Sequence, residues 1–539
     1  MKERISKLVG NGVEGKLVLG TFHSIARRYL VTYGHLLDLQ SGWGIADSGD
    51  SLGIVKRIIK RRKSQLDASQ VRSRISHFKA RDTTPAVMPS SSVFASAGSG
   101  IAATQRAKDV ATEEFVGVFE EYGAALEASN LLDYDDLLLR CLQLLKRHPE
   151  CVSNVEAVLI DEFQDTNLVQ FELMRRLAWK RGHITIVGDP DQSIYGFRAA
   201  EIRNLTRMVA AYPHTLVVHL EQNYRSSASI LLAALEVIQQ DVSRPKKSLT
   251  PTHAVGPRPV LRRIPSAATE ASWIVSEIFR MKAMTAGMVG LGDVAVLVRS
   301  ANLTRNVETG FARAGLAYKM VGGFRFYDRV EVKVLLDYLR VVQNPSNNDA
   351  LARVVNIPTR KVGDTTTKAL LEEGYTRGKS MWEVIRMGLS GSWRGLKINK
   401  AAERGLGDFA GVILSIQKIL GDGSDFKTLV EVVELLMRKI AYEDYLRRFY
   451  PEDFDGRWSN VMELLSQAQE VEKLDEEEDA LPEINGIPQS QSQQGRLELV
   501  LERFLSNTAL ANEVKEDEQD VQHGQVTIST IHASKGISL

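Results

Sequence analysis

Short apolar runs that stop abruptly at an acidic residue or a glycine constrain this chain more than any other feature. Ala157–Ile160 runs into Asp161, Ile184–Val187 into Gly188 and Asp189, and Lys16–Leu19 into Gly20. Leu216–Leu220 ends at Glu221, Val294–Val298 at Arg299, and Val526–Ser529 at Thr530. β-Branched runs of this length read as buried parallel strands, and the segments between them have room for helices. The fold class expected is therefore α/β, with ligand-binding residues just beyond the carboxyl ends of the strands.

Two long stretches break this rhythm and read as insertions into the α/β core. Residues 31–130 are helical in pattern, as in Ser51–Lys63, and contain Thr83–Ser99, a Ser-, Ala-, Pro- and Thr-rich segment expected to be a disordered loop. Residues 345–520 are again helical in pattern and are interrupted by the acidic run Asp475–Asp479 and the polar Pro482–Gln494 segment. Lys56, Arg57, Lys60, Arg61, Arg62 and Lys63 form a basic cluster, either a solvated helix face or a contact to a phosphate backbone.

Composition narrows the partners without naming them. The 539 residues carry 68 Lys+Arg against 67 Asp+Glu, a net charge of +1, so any basic surface is local and offset elsewhere. With 44% hydrophobic and 25% charged residues the chain is globular rather than disordered overall. No run approaches the ~18 apolar residues a membrane span needs, and Met1-Lys2-Glu3-Arg4 leads into no apolar stretch of a secretory signal. Cys141 and Cys151 are too few for a disulfide framework.

Three strings carry chemistry. Val158-Leu159-Ile160-Asp161-Glu162-Phe163-Gln164-Asp165 delivers two adjacent carboxylates at a strand end. Mg²⁺ takes oxygen ligands and is often held by one or two carboxylates plus substrate phosphates, which suits Asp161. Glu162 is then placed to orient and deprotonate an attacking water. In Gly188-Asp189-Pro190-Asp191-Gln192-Ser193-Ile194-Tyr195-Gly196-Phe197-Arg198, Gln192 is an uncharged group suited to sensing a γ-phosphate or the attacking water. Tyr195 and Phe197 beside Arg198 suit base stacking on a single strand. In Glu221-Gln222-Asn223-Tyr224-Arg225-Ser226, Tyr224 offers a flat face to an adenine and Arg225 a cationic fork to a phosphate.

Together with Gly20-Thr21-Phe22-His23-Ser24, Gly322-Gly323-Phe324-Arg325-Phe326-Tyr327, Arg353–Arg360 and Thr530-Ile531-His532-Ala533-Ser534-Lys535-Gly536, these strings resemble the UvrD/Rep/PcrA family of superfamily-one DNA helicases over essentially the whole chain. The Ser/Pro-rich insert and the Thr21–Arg28 segment look most like the fungal anti-recombinase branch. The resemblance implies an ATP-dependent 3′-to-5′ helicase or translocase acting on single-stranded or tailed duplex DNA in repair and recombination, with ATP and Mg²⁺ as cofactors. It further implies recombination proteins as partners and, for a eukaryotic member, a nuclear location. By position, Asp161 matches the metal ligand, Glu162 the catalytic base, Gln192 the γ-phosphate sensor, Tyr224 the adenine stack and Arg225 the γ-phosphate arginine. Gly536 falls in the nucleotide-binding set. Thr21, His23, Tyr195, Phe197, Arg198, Asn356, Thr530 and His532 match positions that line the DNA strand, with Phe197 standing where the family usually has Trp.

The architecture implied is two RecA-like motors, each with a mostly helical insertion. Residues 1–30 and 131–245 would form the first motor and 31–130 its insertion with loop 83–99. Residues 246–344 would open the second motor, 345–520 would be its insertion with linker 475–495, and 521–539 its return strand. The phosphate loop G-x-x-x-x-G-K-[ST] is expected of such an enzyme. The nearest string, Gly378-Lys379-Ser380, has Glu373 where the first glycine belongs and follows a helical pattern, so it reads as a decoy. The first motor is thus expected to lack its opening strand and phosphate loop, and the second its closing strands. A chain so cut would be inactive alone, and a non-catalytic protein that binds single-stranded DNA or another partner is the alternative.

Overall fold

A computed structural model describes residues 17–85, 113–194, 203–241, 247–321, 326–391, 398–421, 428–473, 481–482, 484, 487–489, 495–511 and 524–535. Most of them are helical, with small parallel sheets, and the chain forms two compact units. One comprises Met1–Val158, Leu168–His183 and Phe326–Glu513; the other comprises Leu159–Asn167, Ile184–Arg325 and Val514–Leu539.

The first unit is helical apart from β1 (Gly44–Ala46) and β2 (Leu131–Asp133), which pair in parallel with Ile45 opposite Leu132. Short polar side chains set the helix starts. Asp47 caps Ser48–Arg62 by accepting from the Asp50 N–H at 2.8 Å, while the Asp50 carboxylate accepts from the Asp47 N–H at 3.2 Å. Asp133 and Asp136 repeat this reciprocal arrangement at the start of Tyr134–Arg147, and each such cap satisfies orphan N–H groups of a first turn. The larger core gathers around the Val330–Gln343 helix, with Phe409, Ile413, Leu436 and Phe504 packed into it. A second core of Ile54, Val55, Phe78, Phe115 and Tyr122 lies between the helices Ser48–Arg62, Ala68–Lys79 and Glu113–Ala128.

Residues 334–342 are all buried, so that helix is enclosed on every side and its Asp337 and Arg340 need charged partners. Arg340 finds them in Asp47, Asp50 and Asp337, and Asp337 finds them in Arg340 and Arg353. Arg340 reaches Asp47 at 3.2 Å, Asp50 at 3.8 Å and Asp337 at 3.1 Å; Arg353 reaches Asp50 at 2.7 Å and Asp337 at 2.6 Å. Arg57 forks onto Asp349 alongside. Burial, and then the neighbouring Asp47 carboxylate, push Asp50 up to about 6. Burial acts upward on Asp47 as well, but Arg340 and Lys333 outweigh it and hold Asp47 well below the ordinary range. A second buried cluster joins Lys79 to Asp133 and Asp136, each at 2.7 Å, with the Tyr122 hydroxyl donating to Asp133 at 2.9 Å.

The second unit carries the remaining strands. β3 (Val158–Ile160) begins at its border and lies beside β4 (Ile184–Ile186). The Val158 N–H donates to His183 O and the Val187 N–H to Ile160 O, so the ladder advances the same way along both strands. β5 (Gln222–Asn223) pairs in parallel with β6 (Thr250–Pro251). β7 (Ala295–Val298), β8 (Tyr318–Val321) and β9 (Val526–Thr530) form a parallel sheet in the order β7-β9-β8. Ile278, Val307, Phe311, Leu316, Val526 and Ile528 fill the core against it.

Two expected strands do not form. Leu17–Leu19 is irregular, with Leu17 and Val18 exposed. Leu216–Leu220 is irregular too, and Leu216 and Leu220 are 85% and 82% exposed. An apolar run becomes a strand only where another backbone takes up its N–H and C=O groups, and among the described residues the β3–β4 pair has no third member. The expected loop 83–99 lies outside the described residues beyond 85, and so do most of linker 475–495, Gly322–Arg325 and Gly536.

Gly378 ends the Asp364–Arg377 helix in the left-handed region, and Ser380 starts the next helix with a cap completed by Glu383. Lys379 pairs with Glu383 at 3.0 Å, so this string is a helix–helix turn, as its decoy reading requires. The arginines of the basic cluster have partners within the chain. Arg61 and Arg62 pair with Glu121, Arg61 also lies 3.9 Å above the Tyr375 ring, and Arg57 serves Asp349. Among the described residues no helix is long and apolar enough to cross a membrane.

Arg353→Met leaves Asp50 and Asp337 short of a cation and is expected to cost about 3–5 kcal/mol of unfolding free energy near neutral pH. The raised pKa of Asp50 means that the folded chain takes up a proton as pH falls through about 6. An uncharged Asp50 has less need of the arginine, so the cost should shrink by about pH 5. Urea denaturation of both chains at the two pH values measures this, and an equal cost at both would refute it.

Candidate functional site

Three of the expected site residues stand within one hydrogen-bonded group of the second unit: Asp161, Glu162 and Gln192. β3 ends at Ile160, and Asp161 and Glu162 are exposed beyond it. Glu162 sits in the left-handed region at φ 51°, held by its N–H donating to Asp161 Oδ1 at 2.9 Å. A non-glycine residue there is uncommon, and such conformations concentrate at functional sites.

Gln164, 1% exposed, organises this turn. Its Nε2 donates to Glu162 Oε2 at 2.5 Å, its Oε1 accepts from the Asp189 N–H at 2.9 Å, and its carbonyl accepts from Ser193 Oγ at 3.2 Å. One side-chain amide thus joins the end of β3 to the turn that follows β4. Asp189 in turn accepts from Gln192 Nε2 at 2.9 Å and from the Asp191 N–H at 3.0 Å. Gly188 permits the approach: a Cβ there would lie 2.5 Å from Gln164 Oε1 and 3.2 Å from the Phe163 backbone nitrogen.

Two lysines face these carboxylates. Lys535 follows β9, with its side chain 10% exposed; it lies 2.6 Å from Asp165 Oδ2 and 3.8 Å from Glu162 Oε2, and it donates to the Gln192 carbonyl. Lys247 contacts Asp189 and lies 2.9 Å from Asp191 Oδ2. Asp161, Glu162, Asp165, Asp189 and Asp191 therefore outnumber the ammonium groups, an arrangement suited to a cation at the strand ends. Among the described residues no three His, Cys, Asp or Glu side chains are grouped to hold a metal by themselves. Asp161 offers carboxylate oxygen, which fits Mg²⁺ when ligand phosphates and water complete its shell.

The other expected residues occupy separate places. Tyr224, 77% exposed, and Arg225 follow β5, where Asn223 Oδ1 accepts from the Arg225 and Ser226 N–H groups at 3.2 and 3.0 Å. Thr530 ends β9 and caps the turn containing His532 by accepting from the Ala533 N–H at 3.1 Å. Thr21, His23 and Asn356 belong to the helical unit. Thr21 caps Phe22–Tyr33, and His23 meets the Tyr134 ring edge-on at 6.0 Å. Asn356 Oδ1 accepts from the Arg360 and Val362 N–H groups at 2.8 and 3.1 Å, so it closes its own loop. Tyr195, Phe197, Arg198 and Gly536 lie outside the described residues.

Sequence reasoning gave no role to Gln164, Asp189, Lys247 or Lys535. The available signal was positional for three of them, since Gln164, Asp189 and Lys535 lie inside strings already singled out; Lys247 carried none.

Acidic groups beyond the carboxyl ends of parallel strands are the α/β arrangement in which ligands are bound. Residues 1–213 match the UvrD/REP helicase N-terminal domain and residues 218–538 the UvrD-like helicase C-terminal domain. The chain is 36% identical over 551 residues to ATP-dependent DNA helicase srs2 of Schizosaccharomyces pombe, with 100% of this chain and 60% of that protein covered. It is 30% identical over 546 residues to ATP-dependent DNA helicase PcrA of Staphylococcus aureus, with 100% of this chain and 68% of that protein covered. To PcrA of Bacillus subtilis it is 29% identical over 548 residues, with the same coverage of 100% and 68%. The chain belongs to the UvrD/Rep helicase family, and it spans 60% of the length of the fission-yeast relative.

Gly188→Ala should drive Gln164 off both Asp189 and Glu162. We expect a loss of about 1–3 kcal/mol in thermal unfolding, the range for an overpacked site. Faster amide exchange should be confined to residues 161–165 and 188–193. An unchanged melting curve with unchanged exchange would exclude this tight fit.

Proposed function

We propose that this chain is the motor portion of an ATP-dependent DNA helicase that moves 3′ to 5′ along single-stranded DNA, on single strands or tailed duplexes, in repair and recombination control. The observation that carries the reading is the Gln164-centred group, which holds Glu162 and, through Asp189, Gln192 at the ends of adjacent strands. The organisation proposed with it is two RecA-like motors, each bearing a helical insertion. Relatives named ATP-dependent DNA helicases support the activity.

In this reading Glu162 orients the attacking water and takes its proton, and its exposed carboxylate is steadied by the buried Gln164 amide. Asp161 holds Mg²⁺, which supplies neutralisation of phosphate charge. Gln192 contacts the γ-phosphate or the attacking water through its side-chain amide. Tyr224 stacks on adenine with its exposed ring, and Arg225 stabilises charge on the phosphate. Gly536 belongs to the same nucleotide set. Thr21, His23, Tyr195, Phe197, Arg198, Asn356, Thr530 and His532 line the DNA strand, where aromatic faces stack on bases and cations track the backbone. Recombination proteins are the partners proposed, and the fission-yeast relative favours a nuclear location.

The test is Glu162→Gln. In a protein that also carries the phosphate loop, hydrolysis of ATP stimulated by single-stranded DNA should fall by about 10²-fold or more, with binding of ATP and of DNA retained. Near-normal turnover in the variant would remove Glu162 as the base. Salt-dependent DNA binding without any ATP hydrolysis by the unmutated protein would instead favour a non-catalytic DNA-binding role.

A further inference from the structure

We propose that Lys247 is a positioning residue for Gln192 and ties the Gln192 turn to the β5–β6 ribbon. The proposal rests on the function just given to Gln192. Lys247 is 17% exposed in its side chain and sits three residues before β6. Its ammonium group bridges two carboxylates of one turn, Asp189 Oδ1 and, at 2.9 Å, Asp191 Oδ2. Asp189 uses Oδ1 for Lys247 and the Asp191 N–H, and Oδ2 for Gln192 Nε2 at 2.9 Å. The carboxylate that aims the Gln192 amide is therefore the one that Lys247 anchors.

Asp189 and Asp191 repel one another across a single proline. Without a cation between them the turn would be free to open, and Oδ2 would leave Gln192. A partly buried ammonium resists screening better than a surface one, which makes it an effective clamp.

The other end of the clamp is the ribbon. Ser248, next to Lys247, donates through Oγ to Glu221 Oε1 at 2.9 Å, and the Thr250 and Thr252 N–H groups donate to Glu221 and Asn223 carbonyls at 2.7 and 2.9 Å. Asn223 immediately precedes Tyr224 and Arg225. A nucleotide that moves Tyr224 and Arg225 would pull on β5, on its partner β6, and through Lys247 on Asp189 and Gln192. Lys247 thus connects the proposed nucleotide-reading residues to the proposed γ-phosphate sensor.

The experiment compares Lys247→Met and Lys247→Arg with the unmutated 539-residue chain. In hydrogen exchange, the Met variant should exchange the 188–193 amides about tenfold faster, with β7, β8 and β9 unchanged and the Arg variant restored. Unchanged exchange at 188–193, or equal acceleration in β9, overturns the proposal. In hydrolysis stimulated by single-stranded DNA, the Met variant should lose about tenfold in kcat with KM for ATP within about twofold, and adding Gln192→Ala should cost little more. Fully additive losses overturn it as well. Absence of hydrolysis in the unmutated chain is what the lack of a G-x-x-x-x-G-K-[ST] string in these 539 residues leads one to expect, and the exchange comparison then decides the positioning role alone.

Discussion

Asp50 receives Arg353 at 2.7 Å and Arg340 at 3.8 Å with none of its surface exposed, and the helical unit closes around that arrangement. The same arginines reach back to Asp337, and Arg340 also reaches Asp47, so carboxylates at the start of one helix and arginines from two later helices satisfy one another. Buried charges are tolerable only when paired, and removing one member leaves the others stranded. This dictates register: the Ser48–Arg62 helix can pack only where Arg340 and Arg353 meet its first turn. The apolar contacts around Val330–Gln343 provide most of the driving force, but they are less particular about alignment.

In the strand-bearing unit, a buried neutral amide plays the equivalent part. Gln164 has both ends of its side chain occupied, one by the Asp189 N–H and the other by Glu162. It spans two strand ends, so the left-handed turn at Glu162 and the turn after β4 brace one another. Electrostatics then surrounds the amide, with Lys535 on Asp165 and Lys247 on Asp189 and Asp191. Packing and hydrogen bonding place the acidic groups, and the lysines make their proximity affordable.

How much of this was legible depended on whether a residue's role is local. Val158–Ile160, Ile184–Ile186, Ala295–Val298 and Val526–Thr530 were visible as short β-branched runs, but only Val526–Thr530, the middle strand of its sheet, is buried on both faces as such a run implies; Leu159 and Leu297 are exposed. Leu216–Leu220 has the same composition and no strand, since pairing depends on a neighbour and not on the run itself. β5 and β6 are two residues each and polar enough to leave no signal. Among site residues, the acidic pair announced itself by standing at a strand end. Gln164 and Lys247 did not, because each depends on Asp189, 25 and 58 residues away in the chain. In the basic cluster at 56–63, Arg57, Arg61 and Arg62 have Asp349 and Glu121 as partners, which the local string does not show.

The sheet order β7-β9-β8 has a consequence for how the molecule is made. β9 is the last described strand in the chain and also the middle one of its sheet. On a ribosome, β7 and β8 emerge early and wait, unjoined, while the helices from Val330 to Ala511 are synthesised. Their facing edges stay open for that whole interval, and helical segments can fold in the meantime because their contacts are nearer in sequence. The strand that carries Thr530 and leads to Lys535 must be made before the sheet and the Lys535–Asp165 contact can be completed.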